Sequence, residues 1–235
     1  MQCLILAGGL GTRMRPYTDA MPKALIPVAG MPFAHHQLAW LASAGVERVV
    51  YSIGYKGDMI RGFVGDGGRW GLRVTFVDEG EELLGTGGAV RKAVDVEACD
   101  SRFLVLYGDS YLCVDVLDVW RHFVESGAPA LMTVYANHDA VDRRNVIMRG
   151  DCLALYDKLT PRADMTHIDY GLTALTRSVV RERIPSGAVS DLSEVFHQLS
   201  LEQRLAAYEA TQPFYEVGSP AGLDALDAFL RRASA

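Results

Sequence analysis

The chain has 235 residues, 49% hydrophobic and 22% charged, with a formal net charge of −6. That length holds one large domain with a substantial core, and the composition excludes a disordered or fibrous chain. The acidic balance leaves no electrostatic footprint for nucleic acid, and no run approaches the roughly 20 apolar residues of a membrane span. Met1 leads straight into a strand, without the basic start and cleavage site of a secretory leader. Cys3, Cys99, Cys113 and Cys152 are far apart and form no Cys-x-x-Cys pair, so they read as reduced thiols of a cytoplasmic protein.

In chain order, Leu4 to Leu6 is an apolar run of the kind a buried parallel strand uses. It ends in Ala7-Gly8-Gly9-Leu10-Gly11-Thr12-Arg13, where missing side chains let backbone N–H groups approach an anion and Arg13 adds a planar fork of donors. The order G-G-x-G-T-R is neither the G-x-G-x-x-G of dinucleotide folds nor a P-loop ending in Gly-Lys-Ser/Thr. Pro22 and Pro27 fix the surroundings of a second cation, Lys23. Phe33 to Ala44 reads as a helix closed by Gly45, Arg48 to Ile53 as a strand, Lys56 to Val64 as a helix, and Leu72 to Val77 as an alternating strand. Ala89 to Val94 lies on a helix and Phe103 to Tyr107 on a buried strand. This alternation predicts an α/β fold with a doubly wound, mostly parallel, Rossmann-like sheet.

Beyond residue 110 a helix (Val114 to Glu125) and a strand (Ala130 to Ala136) continue the pattern. Val146 to Met148 and Cys152 to Tyr156, joined through Arg149-Gly150-Asp151, read as an inserted β-hairpin. Tyr170 to Leu175 returns to the sheet beside Leu131 to Tyr135. Val179 to Ile184 and Leu192 to Leu199 are helical, the second with Ser190 or Asp191 as N-cap. Leu205 to Tyr208 and Phe214 to Val217 are short strands before a helix from Pro220 to Arg232. On that helix Leu226, Phe229 and Leu230 read as core, with a homodimer contact as the alternative. A single domain spans 1–235.

Ligands of such sheets sit at the carboxyl ends of the strands. The Gly8 loop follows the first strand, Glu79 the third and Asp109 the fourth, so three motifs converge on one edge. Beside a phosphate loop, a carboxylate at the strand-end position of Asp109 suits Mg²⁺, which takes one or two carboxylates plus phosphate oxygens and water; capping of the next turn is the alternative. The six histidines, His35, His36, His122, His138, His167 and His197, form no i, i+4 metal pair.

Leu6-Ala7-Gly8-Gly9-Leu10-Gly11-Thr12-Arg13-Met14-Arg15-Pro16, then Pro22-Lys23-Ala24-Leu25-Ile26-Pro27-Val28, resembles the signature of sugar-1-phosphate nucleotidyltransferases of the mannose- and heptose-1-phosphate guanylyltransferase type. Leu84-Gly85-Thr86-Gly87-Gly88-Ala89 and Leu106-Tyr107-Gly108-Asp109-Ser110 agree. The resemblance implies transfer of a nucleoside monophosphate from an NTP to a sugar 1-phosphate, with Mg²⁺. It assigns residues 1–136 to the nucleotide and 137–235 to the sugar phosphate, and implies catalytic roles for Arg13, Lys23 and Asp109. The nucleotide would rest on Leu6, Ala7, Gly8, Gly9, Gly11, Thr12, Arg13, Gly85, Thr86 and Gly108. Glu79 would accept from guanine N1–H and N2–H, with Glu81 and Glu82 as rivals and solvated loop acids as the alternative, and the Leu84-Gly85-Thr86-Gly87-Gly88 form favours GTP over UTP, CTP or dTTP.

On the sugar side the resemblance points to Asp157 and Lys158, where the family has Glu-Lys, and to Gly171, with Asp169 and Tyr170 beside it. Two departures stand out. Arg144-Asn145-Val146 replaces the usual Tyr-Gly-x, which places Asn145 at an altered pocket, and Glu216 in Phe214-Tyr215-Glu216-Val217-Gly218-Ser219-Pro220 replaces the family's second metal-binding Asp. A different phosphate or phosphonate acceptor, or a silent nucleotide-binding regulatory subunit, are the competing readings.

Overall fold

The computed structural model describes residues 1–80, 82–137, 143–150 and 152–233. Glu81, His138 and Asp151, each singled out above, lie outside the described residues. Strand β1 (Gln2–Ala7) is followed by helix α1 (Tyr17–Ala20), the small hairpin β2 (Pro27–Val28) and β3 (Met31–Pro32), and helix α2 (Phe33–Ser43). Then come β4 (Arg48–Ile53), α3 (Gly57–Val64), β5 (Arg73–Asp78), α4 (Gly85–Asp95), β6 (Arg102–Tyr107), β7 (Ser110–Tyr111), α5 (Val116–Ser126) and β8 (Ala130–Ala136). The remainder is β9 (Val146–Arg149), β10 (Cys152–Tyr156), β11 (His167–Thr176), α6 (Arg177–Arg183), α7 (Leu192–Leu201), β12 (Leu205–Ala210), β13 (Tyr215–Glu216) and α8 (Pro220–Ala233).

Helix starts carry the expected caps. The Asp115 and Asp191 carboxylates accept from Asp118 N and Ser193 N, and the Thr176 hydroxyl accepts from Val179 N. Helix α4 opens four residues earlier than the sequence suggests, because Gly85-Thr86-Gly87-Gly88 is itself the first turn. Glycine's low helix propensity hides that turn.

The main sheet runs β12-β8-β11-β6-β1-β4-β5, with the β9–β10 hairpin attached at the first residue of β11. Pairs β6–β1, β1–β4, β4–β5 and β8–β12 are parallel, whereas β11 runs antiparallel to both β6 and β8. The sheet is thus mostly parallel, as the alternation requires. The expected pairing of residues 170–175 with 131–135 is present, and β11 also borders β6 on its other edge.

Both faces of the central strands are buried. Ile5, Tyr51, Leu104 and Leu106 face one core, and Leu4, Val50, Phe103 and Val105 face the other, following the two-residue period of a strand. A third cluster packs Leu223, Leu226 and Leu230 of α8 and Val217 against Met14, Ile26, Val28 and Phe33. The α8 apolar face is therefore core, and Phe229 stacks on Tyr215 at 4.4 Å. Among the described residues no helix is long and apolar enough to cross a membrane.

Candidate active site

A cleft of about 280 Å³ opens at the carboxyl ends of β1, β5 and β6. Its walls gather Leu6, Ala7, Gly8, Gly9, Gly11, Lys23, Glu79, Gly85, Thr86, Gly108 and Asp109, residues that the sequence pointed to from five separate stretches. Ala24, Ala89 and Tyr107, each within one of the quoted motifs, and Leu83 line it as well. For the first three, membership of those motifs was the available signal, though none was singled out as a ligand residue. Thr12 and Arg13 do not line this cleft; both are exposed on the short helical turn that follows Gly11.

Lys23 Nζ lies 2.8 Å from Asp109 Oδ2, both side chains partly shielded, so the loop cation and the strand-end carboxylate share one place. Glu216 reaches the same place through a two-stranded clamp in which β13 pairs with β7, placing Glu216 opposite Ser110, while Val217 N donates to Asp109 O at 2.9 Å. A Cβ on Gly218 would lie 2.0 Å from Glu216 Oε2 and 3.3 Å from Asp109 Oδ2, so both carboxylates border the space beside this glycine. The donor set, two carboxylates beside a glycine-lined cleft, fits a hard divalent cation that completes its shell with phosphate oxygens and water. The Ser219 hydroxyl holds Glu216 Oε1 at 2.6 Å, which orients the longer acid.

Glu79 packs against the phosphate loop so closely that a Cβ on Gly8 would lie 2.2 Å from its Oε1. It is 8% exposed, accepts from Ser52 Oγ at 2.9 Å, and its backbone carbonyl accepts from Lys92 Nζ at 3.0 Å. Burial raises its carboxyl above the ordinary range, partly offset by the Ser52 hydrogen bond and the Lys92 charge.

The glycines of the Leu84–Ala89 stretch meet protein. Gly87 N and Gly88 N donate to Ser190 O, and Cβ atoms on Gly85 and Gly88 would lie 2.5 Å from the carbonyl oxygens of Ser190 and Ala188. Thr86 Oγ1 accepts from Leu192 N at 2.9 Å and donates to Asp191 Oδ1 at 3.3 Å. Thr86 borders the cleft, but its hydroxyl is spent on the start of α7.

On the sugar side the sequence and the structure diverge at several residues. Asp157 turns its carboxylate onto its own loop, where Oδ1 accepts from Leu159 N and Thr160 N, each at 2.9 Å. These bonds, Thr160's first, hold its carboxyl below the usual range and keep it out of the cleft lining. Lys158 stands 3.8 Å from Asp191 and lines a separate groove with His197 and Gln198. Tyr170 is 1% exposed, its hydroxyl accepting from Cys113 N and donating to Pro213 O, so it serves the core rather than the cleft. Asn145 Oδ1 accepts from Asp169 N at 3.0 Å, which makes it a tie between strands. Asp169 Oδ1 accepts from Gly171 N at 3.0 Å, and burial pushes its carboxyl up to about 6.

A glycine-lined cup, a paired lysine and carboxylate, and a second acid on one edge of a mostly parallel sheet define a phosphate-handling α/β protein. The family model described as Nucleotidyl transferase matches residues 2–149, and the chain belongs to that family. It is 31% identical over 234 residues to a mannose-1-phosphate guanylyltransferase of Mycobacterium tuberculosis, covering 94% of this chain and 62% of that one. It is 24% identical to a D-glycero-alpha-D-manno-heptose 1-phosphate guanylyltransferase of Aneurinibacillus thermoaerophilus, covering 94% of both. The chain thus spans less than two thirds of the mycobacterial relative and nearly all of the other. The crystal structure of HddC from Yersinia pseudotuberculosis complexed with GMP-PN superposes with a TM-score of 0.78 at 25% identity, covering 97% of this chain and 99% of that one.

Proposed function

We propose that this chain is a sugar-1-phosphate nucleotidyltransferase that transfers a nucleoside monophosphate from an NTP, with GTP preferred, and releases pyrophosphate. The observation that carries the reading is the 2.8 Å meeting of Lys23 and Asp109 inside the glycine-lined cleft, with Glu216 brought alongside. Family membership and the guanylyl-transferring relatives support it.

A sugar 1-phosphate arrives already anionic, so its attacking oxygen needs no general base. That oxygen displaces pyrophosphate in line at the α-phosphorus, and the protein's work is positioning and charge stabilisation. The glycine loop seats the phosphates on backbone N–H groups, and Lys23 neutralises the charge gathering at the transferred phosphoryl group. Arg13, exposed beside the cleft, supplies a fork for phosphate oxygens that extend past the rim. Asp109 and Glu216 would hold Mg²⁺, which when bound supplies charge neutralisation on the phosphate oxygens. Glu79, in the cleft wall, would accept from the N1–H and N2–H of guanine, a pair of donors that uracil lacks. Asp169, with Lys158 beside the neighbouring groove, is the reading for the sugar-phosphate side. No covalent step on the protein is required.

Pyrophosphate release measured over a panel of NTPs and sugar 1-phosphates tests this. Turnover of one nucleotide–sugar pair is expected, with Asp109→Ala lowering kcat by about a thousandfold or more while the circular dichroism spectrum is unchanged. Nucleotide binding without pyrophosphate release from any pair refutes the enzymatic reading and returns the chain to a regulatory role.

A further inference from the structure

Gln37 lies on α2, four residues after Phe33 and four before Leu41, in the stripe that this helix turns to the core. It is 0% exposed. Its Nε2 donates to Tyr107 O at 3.0 Å and to Ser110 O at 2.8 Å, the two carbonyls that bracket Gly108-Asp109. Because both partners are acceptors, the NH₂ end of the amide must face them. That leaves Oε1 buried with no hydrogen-bond partner among the described residues. An apolar side chain of similar size would spare the core this unsatisfied oxygen, so the two donated bonds are the physical reason for a glutamine here.

Lys23 Nζ holds the Asp109 carboxylate itself, and the rest of this turn is held by backbone. Gly108 N donates to Leu6 O, and Asp109 O accepts from Val217 N, each at 2.9 Å. Gln37 therefore anchors the backbone on either side of Asp109, from which the carboxylate extends to meet Lys23. We infer that Gln37 is a positioning residue for Asp109, setting the affinity of the site for a divalent cation from outside the cleft. The inference rests on the reading of Asp109 as a metal-binding carboxylate, and its test separates the two.

The experiment compares wild type with Gln37→Met, which keeps length and volume but donates nothing, and with Gln37→Glu, which keeps shape and polarity and lacks the amide donors. Mn²⁺ is titrated into each protein with GTP present and followed by water-proton relaxation, and the Mg²⁺ dependence of pyrophosphate release is measured alongside. Both variants are expected to raise the Mn²⁺ dissociation constant and the Mg²⁺ activation constant about tenfold or more. The KM for GTP at saturating metal is expected to move less than twofold. Wild-type metal constants in either folded variant, whatever happens to Tm, overturn the positioning role; should Gln37→Met fail to fold, Gln37→Glu decides. A wild-type protein that binds no Mn²⁺ with GTP overturns the metal reading itself.

Discussion

Glu79 in the cleft wall and Asp169 on β11 each carry a carboxyl that burial makes ionise late, and each makes a measurable difference. For Glu79 the consequence is nucleobase choice. Glu79→Gln keeps an acceptor for Ser52 but sets an amide N–H against the donors of guanine. It is expected to raise the KM for GTP at least tenfold while activity with UTP moves less than twofold; equal losses for both nucleotides sink the assignment. For Asp169 the consequence is stability. Its carboxyl ionises at about 6 in the folded chain and near 3.9 when unfolded, so the folded state binds the proton more tightly. The stability this contributes is full below pH 4 and is lost as pH rises through 6. Asp169→Asn, which keeps the acceptor for Gly171 N, is therefore expected to melt a few degrees above wild type at pH 7 and level with it at pH 4. Scanning calorimetry at the two pH values checks this, and an equal offset at both refutes the assignment.

At the level of elements, the glycines of Leu84–Ala89 belong to an interface between α4 and the segment leading into α7. A methyl at position 88 would meet Ala188 O at 2.5 Å, and backbone cannot swing aside as a long side chain can. Gly88→Ala is expected to cost about 1–3 kcal/mol, read as a lowered midpoint in urea with an unchanged slope. A wild-type midpoint would mean that the two segments separate freely. The place of the glycine loop at the cleft was legible in the sequence because an apolar run ending in glycines marks a strand and the turn after it, and the strand-end place of Asp109 followed from the alternation of elements. The contact of Gly85, Gly87 and Gly88 with Ala188–Ser190 was not legible, since nothing local announces a partner a hundred positions away. Asp157 faces its own loop for a local reason. Asp157-Lys158-Leu159-Thr160 carries a local turn signature, an aspartate accepting from the next residues' N–H groups, which the likeness to an acid–lysine pair overshadowed. Gln37 showed only as a polar residue in a buried helical stripe, a signal that marks a buried partner without naming it.

Across the whole molecule, the segment under the cleft's loop is covered by α8 and Val217. Helix α8 and Val217 cover Met14, Ile26, Val28 and Phe33, the residues beneath the loop that carries Arg13 and Lys23. Leu226 is 0% exposed, and emptying its site in Leu226→Ala is expected to cost about 2–5 kcal/mol. Because that cluster also underlies Lys23, thermal inactivation of pyrophosphate release is expected to shift downward together with Tm. Loss of activity well below the melting transition would instead mark α8 as a separately opening unit.

The pairing of Ser110 with Glu216 sets a timetable for biosynthesis. At roughly 5–20 residues per second of translation, Glu216 leaves the ribosome on the order of ten seconds after Asp109. During that interval a nascent chain already owns its glycine cup and its lysine, yet lacks half of its acid pair. A ribosome stalled before Tyr215 displays a chain in which Asp109 lacks its partner carboxylate beside Gly218.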